Sequence, residues 1–224
     1  MKIILSYLIN SEIEEYIKGK GIEIIKTIPF LNEKNSVLMH PDIQCFSDKN
    51  NFFTYKNLSD YYSKFISNII VSNEIMQSEY PKDVLFNCLK INNYIFCNEN
   101  IIDENLLIYL KKTYEIINVK QGYSNCSCLY LGNGYVATSD KGMEKILNQH
   151  NFKTVFIDNS NIILKDYKHG FIGGSAVKLD DEIVFFGNIK LPEYKEITAF
   201  LQNNCIKYKY FNFPLEDFGS AVFI

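Results

Sequence analysis

The sequence predicts an α/β protein of five strand-strand-helix-strand modules arranged around a five-fold pseudosymmetry axis. Two observations predict this class: one strand pattern recurs along the chain, and the two chain ends look like parts of one module. The pattern is a polar residue, a small residue and alternating apolar residues, found at 87–91 (NCLKI), 127–131 (SCLYL), 175–179 (SAVKL) and 220–224 (SAVFI), with HPDIQ at 40–44 as a weaker fifth member. Starts separated by roughly 40 to 50 residues indicate a repeat architecture.

The chain ends predict that the ring of modules is closed. Residues 1–7 read as an apolar strand followed by a helix and a second strand, whereas the chain finishes on the apolar strand 220–224 without a hairpin partner. Unpaired apolar edges favour aggregation, and pairing the last strand with the first removes two such edges. We therefore expect the N- and C-terminal strands to pair, and residues 1–224 to form a single domain.

The elements of each module follow from local patterns. In the first module, Ser11 and Glu14 have the spacing of a capping box, Gly19 and Gly21 end the helix, and 22–28 is apolar enough for a strand. A loop is expected over 29–39. The same patterns predict strands at 52–55, 69–72, 84–91, 94–97, 116–119, 127–131, 154–158, 175–179, 183–186 and 206–210, and helices at 58–66, 103–113 and 192–202, with another helix ending near 147.

Composition excludes several classes of function. With 224 residues, 47% of them hydrophobic, the chain can bury a substantial core. A net charge of −3 with scattered lysines argues against nucleic acid or an anionic membrane as partner. We expect a cytoplasmic protein, because the start lacks the pattern of a signal peptide and no run is as long as a membrane span. Six cysteines without an extracellular signal are expected to be reduced thiols.

The best candidate for a nucleophile is Cys126, which lies at the start of a repeat strand after a glycine turn. A thiol needs a cation, a base or a helix N-terminus beside it to populate the thiolate. Cys88, directly after Asn87, is the second candidate, and a buried structural role is the alternative for both. Cys126 and Cys128 share one face of a strand, but no second pair completes a tetrahedral set, so we expect no metal site.

His40 is the candidate acid or base. Because it precedes Pro41, its backbone is expected to be extended, just ahead of a strand that should line the axis. An imidazole titrates near neutral pH and suits proton transfer. The alternative is a loop histidine hydrogen-bonded to the backbone.

The order of five motifs carries a family resemblance. HPDIQ (40–44), YPKDVLFN (80–87), VKQGYSNCS (119–127), GFIGGSA (170–176) and LEDFG (215–219) together resemble a family of clostridial-type proteins assigned to the pentein, or guanidine-modifying-enzyme, fold. The resemblance covers essentially the whole chain and implies an α/β propeller. Proteins of this fold include arginine and agmatine deiminases, dimethylarginine hydrolases, amidinotransferases and a non-catalytic ribosome anti-association initiation factor, so the fold alone does not specify an activity.

The resemblance also implies a site. In the enzymes of the fold, a cysteine, a histidine in an H-x-D context and carboxylates meet at the axis. His40 and Asp42 match H-x-D, and Glu216 with Asp217 resembles the acidic stretch before a glycine, although one glycine is missing. The enzymes usually carry the cysteine near the C-terminus behind glycines, where this chain has none. Either the cycle of modules is shifted in register or the chemistry has been lost.

The expected function is a cysteine-dependent hydrolase or transferase acting on a guanidino or amidino small molecule through a covalent thiol intermediate, with no cofactor. Cys126 and His40 would be catalytic. The expected substrate-binding residues are Asp42, Gln44, Asn87, Asn125, Glu216 and Asp217, because carboxylates pair with guanidinium groups through two parallel hydrogen bonds and amides can orient a polar ligand. The alternative is a non-catalytic protein that binds a small ligand or a protein on the same scaffold.

Overall fold

Five β-sheets of three strands each make up the architecture of residues 1–30 and 35–224, the part of the chain that the computed structural model describes. The strands are β1 (Lys2–Leu5), β2 (Glu23–Lys26), β3 (Cys45–Ser47), β4 (Phe52–Thr54), β5 (Ile69–Val71), β6 (Leu89–Ile91), β7 (Tyr94–Cys97), β8 (Glu115–Asn118), β9 (Cys128–Gly132), β10 (Tyr135–Thr138), β11 (Lys153–Phe156), β12 (Ala176–Leu179), β13 (Glu182–Phe185), β14 (Lys207–Lys209) and β15 (Val222–Phe223).

Helices connect the second and third strands of each sheet. They are α1 (Ser11–Gly19), α3 (Ser59–Tyr62), α4 (Glu104–Thr113), α5 (Lys141–Gln149) and α6 (Lys195–Asn203), and a further short helix, α2 (Pro41–Gln44), precedes β3. Single 3₁₀ turns lie at Ser36–Met39, Lys56–Leu58 and Pro192–Tyr194. The loop expected over 29–39 includes residues 31–34, which lie outside the described residues.

Each sheet repeats one topology. The middle strand pairs antiparallel with one neighbour, which in four of the sheets precedes it through a hairpin, and parallel with the strand after the helix. This order follows from connection length, since a tight turn permits antiparallel pairing and a parallel neighbour needs a crossover. In the first sheet the last strand of the chain, β15, takes the place that the first hairpin strand has in the other sheets and pairs with β1, with Val222 opposite Ile4. The predicted ring closure and the five-fold α/β propeller are confirmed.

Local sequence explains the hairpins and the helix starts. Asn92, Asn133 and Asp180 occupy hairpin turns with φ of 53°, 53° and 47°, a left-handed conformation that Asn and Asp tolerate better than most residues. The first helix is capped by Asn10, whose side chain accepts a hydrogen bond from Glu12 N, rather than by the predicted Ser11. The cap therefore lies one residue earlier than the capping-box spacing indicated.

The four longer helices bury the same pair of positions. An i, i+4 pair of apolar side chains faces the sheet in each: Ile13 and Ile17, Leu106 and Leu110, Met143 and Leu147, and Ile197 and Leu201. Residues four apart lie on one helix face, so each module packs its helix against its own sheet in the same way. Replacing one of these leucines by alanine is expected to cost about 2 to 5 kcal/mol of stability.

The HPDIQ segment is not the first strand of its module, as the repeat pattern suggested. Pro41–Gln44 forms one helical turn, with proline at its start and the His40 carbonyl accepting from the amides of Ile43 and Gln44. Proline favours this place because its fixed φ suits a first helical turn and its missing N–H is not needed there. The strand is Cys45–Ser47 instead.

No helix within the described ranges 1–30 and 35–224 is long and apolar enough to span a membrane. We retain a single domain over residues 1–224 as a proposal.

Candidate active site

Polar side chains from four modules meet where the inner strands begin. His40 and Asp42 belong to the turn before β3, Asn87 precedes β6, Cys126 precedes β9 and Asp217 precedes β15. All five residues are at most 3% exposed. The thiol of Cys126, one carboxylate oxygen of Asp42 and one ring nitrogen of His40 lie within 4.8 Å of one another. The ring thus brings together a thiol, an imidazole and carboxylates that are far apart in sequence.

The thiol of Cys126 is held by two hydrogen bonds. It donates to Asp42 Oδ2 at 2.9 Å and accepts from Asn87 Nδ2 at 3.2 Å. Burial, followed by the negative charges of Asp42 and Asp217, raises the pKa of Cys126 well above its ordinary value, while the Asn87 hydrogen bond acts in the opposite direction. The free protein therefore holds Cys126 as a thiol, and a cation bound beside it would favour the thiolate.

Two asparagines fix the Asp42 carboxylate. The side-chain nitrogen Nδ2 of Asn125 donates to Asp42 Oδ2 at 3.0 Å. The backbone N–H of Asn125 donates to Asn87 Oδ1 at 2.8 Å. The other oxygen, Asp42 Oδ1, is buried and has no hydrogen-bond partner within the described part of the chain. Burial raises the pKa of Asp42. An unsatisfied buried acceptor costs about 1 to 3 kcal/mol, so a ligand that donates to Oδ1 would recover this free energy.

His40 faces the carboxylate of Asp217, with 3.7 Å between His40 Nδ1 and Asp217 Oδ1. The backbone amides of Gly219 and Phe171 donate to the two oxygens of this carboxylate at 2.9 Å and 2.8 Å. Burial lowers the pKa of His40 to about 4, although the charge of Asp42 acts the other way. Burial also raises the pKa of Asp217 to about 7. His40 is therefore neutral at pH 7 and able to accept a proton.

The glycines near the site are required for close packing. A Cβ on Gly174 would lie 1.8 Å from Asp217 Oδ1, and a Cβ on Gly173 would lie 2.2 Å from the carbonyl oxygen of Asn125. Gly219 has a φ of 75°, and a Cβ there would lie 2.2 Å from His40 Cβ. These contacts explain why GFIGGSA and DFG carry glycine at these positions.

A cavity of about 220 Å³ opens onto this cluster. His40, Cys126 and Asp217 form its inner end. The remaining lining residues are mostly apolar or aromatic: Val37, Tyr123, Leu164, Tyr167, Lys168, His169 and Phe171. A small molecule in this cavity would touch the thiol and the imidazole at the same time.

Two predicted ligand-binding residues lie outside the cluster. The Gln44 amide is used by the scaffold: its nitrogen donates to the carbonyls of Leu38 and Ile28, and its oxygen accepts from Tyr62 and the Ile28 amide. A fully bonded buried amide has no capacity left for a ligand, so the assignment of Gln44 to substrate binding does not fit the structure. Glu216 is partly exposed and does not line the cavity.

The alternative nucleophile, Cys88, does not line the cavity of Cys126 and His40. It lines a neighbouring cavity, which Asp42 and Asn125 also line, and its thiol interacts with that of Cys97. Burial raises the pKa of Cys88, and no cation or imidazole opposes the shift. The geometry therefore favours Cys126.

The sequence did not single out most of the cavity wall. Phe171 stands beside the glycine run of a quoted motif, and Tyr123 stands three residues before Cys126. Tyr123 donates its hydroxyl hydrogen to Asp83 Oδ2 at 2.6 Å. Closeness in sequence to those motifs could have indicated Tyr123 and Phe171 as cavity residues. The residues at 164–169 look like an ordinary loop in the sequence.

The cluster of His40, Asp42 and Cys126 has the donor types of a zinc site. Imidazole, carboxylate and thiolate are all zinc ligands, and three protein ligands would leave a position open. The same three groups also suit covalent chemistry at the sulfur, because a base and a nucleophile lie side by side. Treatment with a chelator would distinguish a zinc site from covalent chemistry at the sulfur, because only the zinc site depends on a metal.

The five-module ring, with a cysteine, a histidine and carboxylates at one end of its axis, defines a protein of the pentein, or guanidine-modifying-enzyme, fold. Within this class the chain belongs to the family of unknown function DUF6873, whose model matches residues 4–222. No curated protein sequence matches the chain.

Three solved structures illustrate the fold. A mutant of DDAH from Pseudomonas aeruginosa complexed with citrulline is 7% identical, with a TM-score of 0.58 and coverage of 94% of this chain and 91% of that one. The inosamine-phosphate amidinotransferase of Streptomyces griseus is 10% identical, with a TM-score of 0.61 and coverage of 95% and 78%. The N-terminal domain of ArgZ, covalently bound to a reaction intermediate, is 11% identical, with a TM-score of 0.59 and coverage of 94% and 90%. At these identities the likeness establishes the fold alone.

Proposed function

We propose that this protein is a cysteine-dependent hydrolase or transferase that acts on the guanidine or amidine group of a small molecule. The observation that carries the proposal is the meeting of the Cys126 thiol, the His40 imidazole and the Asp42 carboxylate within 4.8 Å, next to a cavity lined by Cys126 and His40. Structures of the same fold with citrulline or a covalent intermediate support the substrate class.

The carboxylates provide the recognition of a planar cation. A guanidinium group donates several N–H bonds in one plane, and a carboxylate accepts two of them in parallel. Asp217 lines the cavity together with His40 and Cys126, whereas Asp42 accepts the hydrogen bond of the Cys126 thiol and lines the neighbouring cavity. A guanidinium that pairs with Asp217 would place its central carbon near Cys126, and the Asp42 charge would lie on the other side of the thiol.

Substrate binding would also activate the thiol. The negative charges of Asp42 and Asp217 contribute to the raised pKa of Cys126, and a bound cation offsets both. Neutral His40 can then take the thiol proton. The nucleophile is thus formed only when a guanidinium or amidinium is present, which limits reaction of the thiol with other electrophiles.

The covalent cycle balances with these groups. The thiolate forms a C–S bond with the central carbon, and the tetrahedral adduct collapses by breaking one C–N bond as the protonated His40 gives its proton to the departing amine. The product is a thiouronium on Cys126. Neutral His40 then takes a proton from water, which adds to the same carbon, and loss of the sulfur yields an amide or ureido product and restores the thiol. An amine in place of water would give amidino transfer.

Chloroacetamidine tests the proposal, because it combines a thiol-reactive carbon with an amidinium. We expect one adduct on Cys126, formed at least about tenfold faster than the adduct with neutral chloroacetamide, since only the amidinium pairs with the carboxylates. Peptide mass spectrometry locates the adduct, and Cys88→Ala serves as the matched control that retains it.

Absence of an adduct on Cys126, or equal rates for the two reagents, would contradict the proposal. Assays of ammonia or amine release from guanidines then distinguish an enzyme from a binding protein. Thermal stabilisation by guanidines without adduct or turnover would support the non-catalytic alternative.

A further inference from the structure

The outer wall of the cavity takes no part in the proposed chemistry. It consists of Val37, Tyr123, Leu164, Tyr167 and Phe171, with Lys168 and His169 at its edge. The rings of Tyr123 and Phe171 form a continuous surface, with centroids 6.2 Å apart and planes inclined by 30°. Val37 and Leu164 are buried, at 4% and 8% exposure. This wall must contact whatever part of a ligand extends away from Cys126.

The polar atoms of this wall are already bonded to other protein groups. The Tyr123 hydroxyl donates to Asp83, and the Tyr167 hydroxyl donates to Asn35 Oδ1 at 3.0 Å. His169 Nδ1 lies 3.0 Å from the amide nitrogen of Asn159 and accepts its hydrogen. The wall therefore presents mainly carbon and ring faces to a ligand.

The charges around the cavity disfavour an amino-acid tail. The chain contains no arginine, the residue that best binds a carboxylate through two parallel hydrogen bonds. Lys168 is the charged side chain at the cavity edge; it is exposed, and no ion pair involves it within residues 1–30 and 35–224. Its positive charge would repel a tail that ends in an ammonium group, and an ammonium on the apolar wall would lose hydration without a partner.

We propose that this wall is a binding subsite for an uncharged, apolar tail, so that the preferred ligands are alkyl or aryl guanidines rather than guanidino amino acids. A cavity of about 220 Å³ has the volume of about seven water molecules at about 30 Å³ each, enough for a guanidinium with a tail of about four carbons. The inference rests on the proposed function, because the guanidinium end is taken to face Cys126 and Asp217.

Three guanidines whose carbon tails are of similar length test the subsite. Butylguanidine has an uncharged tail, agmatine adds an ammonium, and arginine adds an ammonium and a carboxylate. The measurement is the shift in the melting temperature of the wild-type protein and of Cys126→Ser as each compound is titrated, which needs no turnover. We expect butylguanidine to bind with a dissociation constant at least about tenfold below that of arginine, with agmatine between them or weaker.

Stabilisation by arginine or agmatine equal to that by butylguanidine would overturn the inference, as would the absence of stabilisation by any of the three. These outcomes are separate from failure of the proposed function, which is read from chloroacetamidine labelling of Cys126. A protein that is labelled but prefers arginine keeps the proposed chemistry and loses the apolar subsite.

A pair of tyrosine variants locates the effect. Tyr167 and Tyr7 are similarly exposed, at 45% and 43%, but only Tyr167 lines the cavity. We expect Tyr167→Ala to weaken butylguanidine about threefold or more while leaving the arginine affinity within a factor of two, and Tyr7→Ala to change neither, because removing an aromatic contact matters only for the apolar tail. Equal loss for both guanidines in Tyr167→Ala would contradict the subsite.

Discussion

Cys88 and Cys126 each follow an asparagine near the start of a module, yet their surroundings differ. The thiol of Cys88 interacts with Cys97 inside the apolar core. The thiol of Cys126 donates to Asp42 and accepts from Asn87, next to a cavity that His40 also lines. Similar neighbours in sequence therefore do not mean similar places in the ring.

The register of the hairpins explains the difference. Cys128 lies opposite Thr138, and the two side chains are joined at 3.3 Å. Cys88 takes the corresponding place in the preceding module, where Cys97 stands in the position of Thr138. Cys126 lies two residues before Cys128, in the turn that faces the axis. The position of a residue relative to the strand start, rather than the identity of its neighbour, decides whether it packs in a hairpin or reaches the site.

Removing each thiol in turn tests most directly whether Cys126, and not Cys88, carries the chemistry. We expect Cys126→Ala to lower turnover of the guanidine that stabilises the protein most by about 10³-fold or more, because no other group can form the covalent intermediate. Cys88→Ala should retain turnover within about threefold. Ammonia or amine release is the measurement, and comparable losses in the two variants would remove the distinction.

His40 is a second difference between the two cysteines, because it lines the cavity of Cys126 and not that of Cys88. We expect His40→Asn to lower turnover about 10² to 10⁴-fold, the usual contribution of a positioned acid or base. Labelling of Cys126 by chloroacetamidine should continue at a lower rate, since the reagent carries its own leaving group but His40 no longer takes the thiol proton. A variant that keeps full turnover would show that proton transfer runs through another residue.

The two titrating groups beside Cys126 should affect stability with opposite signs. The pKa of His40 is lowered to about 4, so its contribution is lost as pH falls from about 6.5 to 4, and the stability of His40→Asn relative to wild type should rise over that range. The pKa of Asp217 is raised to about 7, so its contribution is lost as pH rises from about 4 to 7, and Asp217→Asn should gain relative stability as pH rises.

Each effect is at most on the order of 3 to 4 kcal/mol, since one pKa unit corresponds to about 1.4 kcal/mol. Melting temperatures of the three proteins between pH 4 and 8 provide the measurement. Cys88→Ala should follow wild type throughout. Parallel curves for wild type and both variants would show that neither group titrates in the folded protein as its burial requires.

The smallest expected effect is the loss of the preference of Cys126 for the cationic reagent. Asp42→Asn removes a negative charge that raises the pKa of Cys126, so neutral chloroacetamide should label Cys126 about tenfold faster at pH 8. Cationic chloroacetamidine should lose its advantage, because one of the two negative charges beside the thiol is gone. Exposed Cys205 is the internal control, and its labelling should not change. Faster reaction with both reagents would mean that Asp42 restricts access rather than binding the cation.

Several features of the site could be predicted before any coordinates. Cys126 is a candidate because it lies at the start of a repeat strand, whereas the resemblance to the pentein fold indicates His40, Asp42 and Asp217. Gln44 is a candidate because its amide could orient a polar ligand, but the helical turn at 41–44 directs this amide towards Ile28 and Tyr62. The repeat pattern predicts a strand at 40–44, with a side-chain period of two, whereas the helical turn has a period of 3.6 and points the Gln44 side chain elsewhere.

The amino-acid sequence by itself determined the modules, their number and the closure of the ring, because these depend on local apolar periodicity, turn residues and the need to pair an apolar edge. Only the tertiary structure decided which cysteine faces the imidazole, which acids share its pocket and which aromatic rings line the cavity. These contacts join residues from different modules, and their distances depend on strand register and ring curvature, which no local pattern encodes.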